Sequence, residues 1–261
     1  MPRFCANLSM LFTELPFLDR FEAAARAGFQ GVEYLFPYEF DAAEIADRLA
    51  THGLTQVLFN MPPGDWAAGE RGLAALPDRV DEFRGGIDLV VRYARDLGCR
   101  SVHCMAGIAP AGADAGALRA TYVANLIHAA DRLAQDGVDL LIEPINTRDM
   151  PGYVLTRTQQ ALDIIADVGR PNVRLQYDCY HMQIMEGDLC PTIERNLASI
   201  GHVQAADTPG RHEPGTGEIN YPFVFAHLDR LGYAGWIGCE YRPRAATLDG
   251  LAWFSPYIAS L

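Results

Sequence analysis

Short apolar segments alternate along this chain with longer segments whose apolar residues recur at helical spacing. The apolar segments have the length of buried strands, and the segments between them, such as residues 78–97 and 118–135, favour amphipathic helices. Further helices are expected over residues 17–27, 41–52, 158–168, 192–199, 223–231 and 248–258. This alternation predicts an α/β protein with a parallel sheet.

Glycine residues divide these units at regular intervals. Seven of them are each followed within a few residues by an apolar segment: Gly28, Gly53, Gly98, Gly137, Gly169, Gly201 and Gly232. Because glycine adopts the left-handed conformation that commonly ends a helix, these positions predict seven helix-to-strand turns. An opening strand at residues 4–8 makes eight strands in all. Eight such units in 261 residues predict a single (β/α)8 barrel, with one domain over residues 1–261.

Four of the predicted strands end in a polar side chain, which a buried strand does not tolerate without a partner. These residues are Glu143, Asp178, Gln204 and Glu240, at the ends of predicted strands five to eight. In a parallel barrel the carboxyl ends of neighbouring strands meet at one face, so the four side chains are expected to converge. Their oxygen donors suit Mg2+ or Mn2+ better than zinc, which prefers His and Cys. The alternative is that each pairs separately with a nearby Arg or Lys.

Other residues near the same strand ends are candidates for substrate contact. His181 lies just after Asp178, where an imidazole would polarise a substrate oxygen or orient a carboxylate. His103 ends the fourth predicted strand and is expected to line the site. Asn60 and Glu33 hold comparable positions on strands three and two. Long loops at residues 60–72 and 207–218 follow strands three and seven on the face where such barrels place active sites, so both are expected to cover a substrate.

Two glutamates at one metal indicate a proton-transfer reaction. A cation that chelates an α-hydroxycarbonyl acidifies the adjacent C–H, so one of Glu143 and Glu240 would remove that proton and the other would return it to the neighbouring carbon. The pattern therefore predicts an isomerisation of the aldose–ketose type. The sequence has neither a GxGxxG nor a Walker motif, so no nucleotide cofactor is expected.

Charge and composition limit the partners. The net charge of -12 repels phosphate backbones, so nucleic acid is not an expected partner. No apolar run reaches the length of a membrane helix, and the first residues lack the apolar segment of a secretory signal, so we expect a cytoplasmic protein with no membrane contact. The pattern leaves the oligomeric state open, a homo-oligomer included.

A set of short motifs extends over nearly the whole chain. They are IEPIN at 142–146, YDCYH at 177–181, QAAD at 204–207, EPGTGEINY at 213–221, EY at 240–241, FNMPPGDW at 59–66 and RG at 71–72. Together they resemble the hydroxypyruvate isomerase family of xylose-isomerase-like barrels. The resemblance implies interconversion of hydroxypyruvate and 2-hydroxy-3-oxopropanoate (tartronate semialdehyde). It also implies Glu143 and Glu240 as the proton-transfer pair and as metal ligands, together with Asp178 and Gln204.

Several other functions remain open at this stage. Many related sugar epimerases have a histidine where this chain has Gln204, which favours the isomerase over an epimerase. A 2-oxo-tetronate isomerase shares the same site, and an inosose-type dehydratase would use the same metal and base. An endonuclease IV-like barrel would need a richer His/Asp/Glu cluster and a basic groove. A catalytically silent sugar-binding barrel is a further alternative.

A small 2-oxo acid or sugar acid would bring its own carboxylate into a site already rich in Glu and Asp. A cation must offset that charge, and the candidates on predicted loops are Arg211, His212, Arg71 and Arg242. Arg211 and Arg71 are favoured because their loops are expected to overhang the metal.

Overall fold

Eight parallel strands close into a barrel in the computed structural model, which describes residues 2–258. The strands are β1 Arg3–Asn7, β2 Gly31–Tyr34, β3 Thr55–Asn60, β4 Ser101–His103, β5 Asp139–Ile142, β6 Val173–Asp178, β7 Ile200–Ala205 and β8 Trp236–Cys239. Each strand pairs with its neighbours in sequence, and β1 also pairs with β8, so the sheet has no open edge. The predicted (β/α)8 barrel is confirmed.

The helices connect successive strands in the order that the hydrophobic pattern predicts. They are α1 Arg20–Arg26, α2 Ala42–His52, α3 Val80–Gly85, α4 Ile87–Asp96, α5 Ala115–Ala134, α6 Thr158–Val168, α7 Cys179–Met185, α8 Leu189–Asn196 and α9 Tyr221–Arg230. Helix α2 has a capping residue at its start and a glycine at its end. Asp41 caps its first turn by accepting a hydrogen bond from the Ala43 N–H, and Gly53 ends it at φ 65°.

Gly201 corrects the glycine pattern. The other six glycines predicted to end helices have positive φ, whereas Gly201 is the second residue of β7. The preceding helical segment ends instead in a 3-10 turn, Leu197–Ser199. Gly201 is needed for close packing, because a Cβ there would lie 2.8 Å from Leu141 Cδ2 and 3.1 Å from Arg174 Cβ.

The structure also revises the helix predictions. The helix expected over 78–97 is a 3-10 turn, Pro77–Arg79, followed by α3 and α4, which meet at Gly86. The helix expected over 248–258 consists of two 3-10 segments, Thr247–Trp253 and Ser255–Tyr257. Pro256 lacks the N–H that a continuous α-helix would need there. Helix α7, directly after β6, was not predicted.

Within residues 2–258, each helix is either too short or too polar to cross a bilayer.

We expect Gly201→Ala to lower the free energy of unfolding by about 1–3 kcal/mol, because the added methyl group overpacks the contact with Leu141. The matched control is Gly85→Ala. Gly85 is helical and has open space around a built Cβ, so alanine there should be neutral or stabilise the fold by up to about 1 kcal/mol. Urea unfolding of both variants measures the difference. Equal stability of the two variants would contradict the packing role of Gly201.

Candidate active site

The four polar strand ends lie together at the carboxyl face of the barrel. Glu143 directly follows β5, Asp178 is the last residue of β6, Gln204 is the penultimate residue of β7, and Glu240 directly follows β8. Asp178 and Gln204 are paired in register across β6 and β7. All four residues are at most 6% exposed, so their polar groups depend on one another and on the protein for partners.

The two carboxylate oxygens of Asp178 have different partners. Its Oδ1 caps α7 by accepting hydrogen bonds from the backbone N–H groups of Tyr180, at 2.7 Å, and His181, at 3.4 Å. Its Oδ2 is turned towards the site, 3.6 Å from His181 Nε2 and 3.4 Å from an Arg211 nitrogen. The tight turn from β6 into α7 therefore places Asp178 and His181 beside each other.

His181 has a defined tautomer. The backbone N–H of Asn146 can only donate, and it lies 3.4 Å from His181 Nδ1, so Nδ1 accepts and the neutral ring carries its proton on Nε2. Nε2 is 3.9 Å from Glu143 Oε1. Burial lowers the pKa of His181 well below its usual value, and the Arg211 charge lowers it further, so the ring is neutral.

Arg211 is the buried cation of this site. It lies on the loop after β7, where buried Asp207 accepts hydrogen bonds from the backbone N–H groups of Gly215 and Ile219 and so fixes the loop. Its guanidinium is 3.4 Å from both Asp178 Oδ2 and Glu240 Oε1. Burial opposes the charge of Arg211, but the neighbouring carboxylates outweigh that effect and its pKa is raised.

One arginine does not neutralise three buried carboxyl groups. Burial raises the pKa of Glu143 well above its usual value, and the charges of Glu240 and Asp178 raise it further. Burial also raises the pKa of Glu240 to about 8, although Arg211 opposes this shift. The pKa of Asp178 is raised by burial as well. The site therefore has a high affinity for positive charge, as protons or as a cation.

The donor atoms fit a divalent cation. One oxygen of Glu143, one of Asp178 and a nitrogen of His181 lie within 4.8 Å of one another. With Nδ1 of His181 accepting from Asn146 and Nε2 protonated, the two carboxylate oxygens are the atoms of this group that are available to a cation. Among residues 2–258, Glu143 Oε1 and His103 Nε2 are buried and have no hydrogen-bond partner. Burial also lowers the pKa of His103 to about 3, so this ring does not neutralise Glu143, from which it is 3.6 Å distant. A bound cation would satisfy the unpaired carboxylate oxygen.

Gln204 is held from both sides by buried partners. Its Nε2 donates to Glu33 at 2.8 Å, and its Oε1 accepts a hydrogen bond from Gln176 at 2.7 Å. Glu33 also accepts hydrogen bonds from His202 at 2.7 Å and from Asn7 at 3.1 Å. Burial alone would raise the pKa of Glu33, but these partners lower it overall, so Glu33 is a charged anchor for Gln204.

A cavity of about 190 Å³ opens over the carboxyl groups. Its lining contains the following predicted residues: Asn60, Arg71, His103, Glu143, His181, Arg211, Glu240 and Arg242. Asp178 and Gln204 lie beneath it and do not line it. His212, a candidate cation, also lies outside the lining, and its Nδ1 pairs with the Arg242 carbonyl at 2.8 Å. Both predicted loops contribute to the cavity, through Arg71 and Arg211.

Comparison with known proteins identifies the family. A family model described as "Xylose isomerase-like TIM barrel" matches residues 21–257. The chain belongs to the xylose isomerase-like TIM barrel family.

Members of this family with high similarity include two curated isomerases. A 2-oxo-tetronate isomerase from Cupriavidus necator is 58% identical over 258 residues, which are 99% of this chain and 99% of that protein. A hydroxypyruvate isomerase from Escherichia coli is 52% identical over 257 residues, 98% of this chain and 100% of that protein. A crystal structure from Brucella melitensis, named "AP endonuclease, family 2", has a TM-score of 0.97 at 55% identity, over 98% of this chain and 99% of that one.

The sequence did not reveal the buried polar residues that support Gln204 in this xylose isomerase-like barrel, namely His202 and Gln176. His202 and Gln176 each lie two residues before a strand-end residue, Gln204 and Asp178, and so point to the same side of their strands. The period of two along each strand could have identified them. Trp66 was missed as well, because only the structure shows that its ring lies beneath Arg71.

The raised pKa of Glu240 predicts an unusual pH dependence in the metal-free protein. Between about pH 5 and pH 8 the folded protein holds a proton that the unfolded chain has released, so stability falls as the pH rises. Glu240→Gln cannot hold this proton. Between pH 5 and pH 8 the unfolding free energy of wild type should therefore fall by roughly 2–4 kcal/mol more than that of Glu240→Gln. Urea unfolding with a chelator present measures both curves, and parallel curves would contradict the shift.

Proposed function

We propose that this protein is a metal-assisted isomerase that interconverts hydroxypyruvate and 2-hydroxy-3-oxopropanoate. The main support is a pair of buried glutamates, Glu143 and Glu240, that line one cavity and whose pKa values are raised. Two carboxyl groups that face one cavity can remove a proton from one carbon atom and deliver a proton to its neighbour, which an isomerisation by proton transfer requires. The relatives named hydroxypyruvate isomerase and 2-oxo-tetronate isomerase support the same reaction class.

The proposed cation is Mg2+ or Mn2+. Glu143, Asp178, Gln204 and Glu240 would hold it, and their oxygen donors suit either ion. When bound, the cation polarises the carbonyl and hydroxyl oxygens of the substrate and lowers the pKa of the C–H group beside them. Gln204 is suited to this role because its Oε1 accepts one hydrogen bond, from Gln176, and retains a second lone pair.

The two glutamates divide the proton transfer between them. One removes a proton from C3 of hydroxypyruvate, which forms the enediolate of the substrate, and the other delivers a proton to C2. The C3 hydroxyl loses its proton and the C2 oxygen gains one, so the C3 oxygen becomes the aldehyde and the C2 oxygen becomes the hydroxyl. Their strands, β5 and β8, are separated by β6 and β7, so they approach the substrate from different parts of the barrel rim. Because two glutamates act, neither has to carry a proton from one carbon atom to the other.

His181 and Arg211 prepare the site for the charge that develops during the reaction. The Nε2–H group of His181 faces the carboxylates and is positioned to donate to a substrate oxygen. Arg211 keeps positive charge beside Asp178 and Glu240. His103 and Asn60 line the same cavity and are proposed to contact the substrate.

A second candidate substrate is 2-oxo-tetronate, which the 58% identity to the Cupriavidus necator isomerase favours. Rates with hydroxypyruvate, 2-oxo-tetronate and simple ketoses, each measured with Mg2+ or Mn2+ and with a chelator, separate the candidates. We expect metal-dependent isomerisation of a short oxo acid. Loss of water without an isomer product would support the dehydratase instead.

Nucleic acid is not proposed as a substrate, although one similar structure carries an endonuclease name. The chain has a net charge of -12, which disfavours binding of a phosphate backbone, and the cavity of about 190 Å³ has the size for a small molecule. We propose a small acid as substrate and the cytoplasm as the compartment.

Replacement of either proton carrier should stop the reaction. We expect Glu143→Gln and Glu240→Gln each to lower kcat with hydroxypyruvate by about 1000-fold or more, because each variant lacks one proton-transfer group. Steady-state kinetics at saturating metal measure the loss, and circular dichroism checks that the variants are folded.

Glu44→Gln is the matched control for these variants, since Glu44 is exposed on α2 and does not line the cavity. It should retain the wild-type rate. A Glu143→Gln or Glu240→Gln variant with a kcat near that of wild type would rule out the two-glutamate mechanism.

A further inference from the structure

Arg71 is the loop arginine whose guanidinium is both held in place and still free to bind a ligand. It lies in the cavity wall, with its guanidinium carbon 3.8 Å from the centroid of the Trp66 ring. Its Nη1 donates to the carbonyl oxygens of Trp66, at 3.1 Å, and Glu70, at 2.7 Å. Trp66 in turn contacts Phe36 edge-on, with ring centroids 5.1 Å apart. These contacts fix the plane of the guanidinium.

The other edge of the same guanidinium is unused. Among residues 2–258, no side chain or carbonyl bonds to Arg71 Nε or Nη2, and no carboxylate pairs with it. Its neighbour Glu70 does not neutralise it, because the Glu70 carboxylate pairs with Arg79 and accepts the Asp65 N–H. The Nε–Nη2 edge is the one that binds a carboxylate through two parallel hydrogen bonds.

The two competing arginines differ in this respect. Arg211 already pairs with Asp178 and Glu240. Arg242 lines the cavity but is exposed, and its side chain makes no hydrogen bond or ion pair within the part of the chain that the structure describes. An exposed, unrestrained arginine loses conformational entropy on binding, whereas Arg71 has already lost it.

The loop that carries Arg71 is fixed at its end. Gly72 has φ 107°, and a Cβ at this position would lie 2.3 Å from the Met105 carbonyl oxygen. The Gly72 N–H also donates to the Pro63 carbonyl at 2.9 Å. Only glycine allows this close approach to the segment after β4, so the loop holds Arg71 at a constant place in the cavity wall.

We propose that Arg71, supported by Trp66, binds the carboxylate of a short 2-oxo acid through Nε and Nη2 and thereby selects acids over neutral ketoses. This inference rests on the proposed function, since it assigns the end of the substrate that does not react. The reacting carbons then face Glu143 and Glu240 in the same cavity. Arg71 is a substrate-binding residue that takes no part in the proton transfer.

The test compares two molecules that differ only at one end. Hydroxypyruvate has a carboxylate where dihydroxyacetone has a CH2OH group. Arg71→Met should raise KM for hydroxypyruvate by about 10- to 100-fold, the effect of losing charge-assisted hydrogen bonds, and should change kcat little. The apparent affinity for dihydroxyacetone, measured as substrate or competitive inhibitor, should stay within about twofold.

Further variants test separately the charge of Arg71, the paired donors of its Nε–Nη2 edge, and its contact with Trp66. Arg71→Lys keeps the positive charge without the paired N–H donors, so it should bind hydroxypyruvate better than Arg71→Met but more weakly than wild type. Trp66→Leu should raise KM by about 3- to 5-fold, because the support of the guanidinium is lost. Arg148→Met, at an exposed arginine in the loop after β5 that does not line the cavity, is the control and should behave as wild type. Arg242→Met tests the competing cation.

Direct binding separates this inference from the proposed reaction. Calorimetric titration of the Mg2+-loaded protein with glycerate, an unreactive acid of the same size, should show binding to wild type that Arg71→Met weakens by a similar factor. If wild type binds glycerate through Arg71 yet isomerises no oxo acid, the proposed function fails and the carboxylate site stands. No binding of glycerate, equal affinity in Arg71→Met, or a larger effect of Arg242→Met would overturn the carboxylate site.

Discussion

The burial of three carboxyl groups around one arginine is the constraint on which the rest of this site depends. Glu143, Asp178 and Glu240 are at most 6% exposed, and Arg211 is the cation that pairs with two of them. A buried cluster with this excess of negative charge is costly unless it takes up protons or a cation. The same imbalance raises the pKa values of Glu143 and Glu240. It is also the basis of the cation binding and the proton-transfer roles that we propose for this site.

The barrel maintains this arrangement with a second layer of polar residues inside the strands. Glu33, His202 and Gln176 surround Gln204, and their hydrogen bonds are 2.7–2.8 Å long. The hydrogen bonds from Gln176 and to Glu33 fix the orientation of Gln204, whereas in the layer above Glu143 Oε1 and His103 Nε2 have no hydrogen-bond partner among residues 2–258. Polar groups in the two layers therefore serve different purposes, support in one and binding in the other.

The barrel and the strand-end residues could be predicted from the sequence, because both depend on local patterns. Apolar segments that end in Glu143, Asp178, Gln204 and Glu240 indicate which residues meet at the rim, once eight parallel strands are assumed. The roles of Arg71 and Arg211 could not be distinguished in this way. That distinction depends on contacts between loops distant in sequence, namely the Trp66 ring under one guanidinium and the carboxylates of β6 and β8 around the other. The prediction that Gly201 ends a helix was wrong for a related reason. A glycine that ends a helix and a glycine that makes room for Leu141 look alike in sequence.

The central claim is that one glutamate removes a proton from C3 and the other delivers a proton to C2, and the isotope content of the product tests it most directly. Hydroxypyruvate is converted in deuterated water with Mg2+ or Mn2+, and the product is analysed by mass spectrometry at low conversion. Because the group that delivers the proton to C2 exchanges with solvent before each turnover, the product should carry close to one deuterium atom at C2. A product that forms at a normal rate without deuterium at C2 would mean that the same hydrogen passes from C3 to C2, either directly or on one group, and would contradict the roles assigned to Glu143 and Glu240.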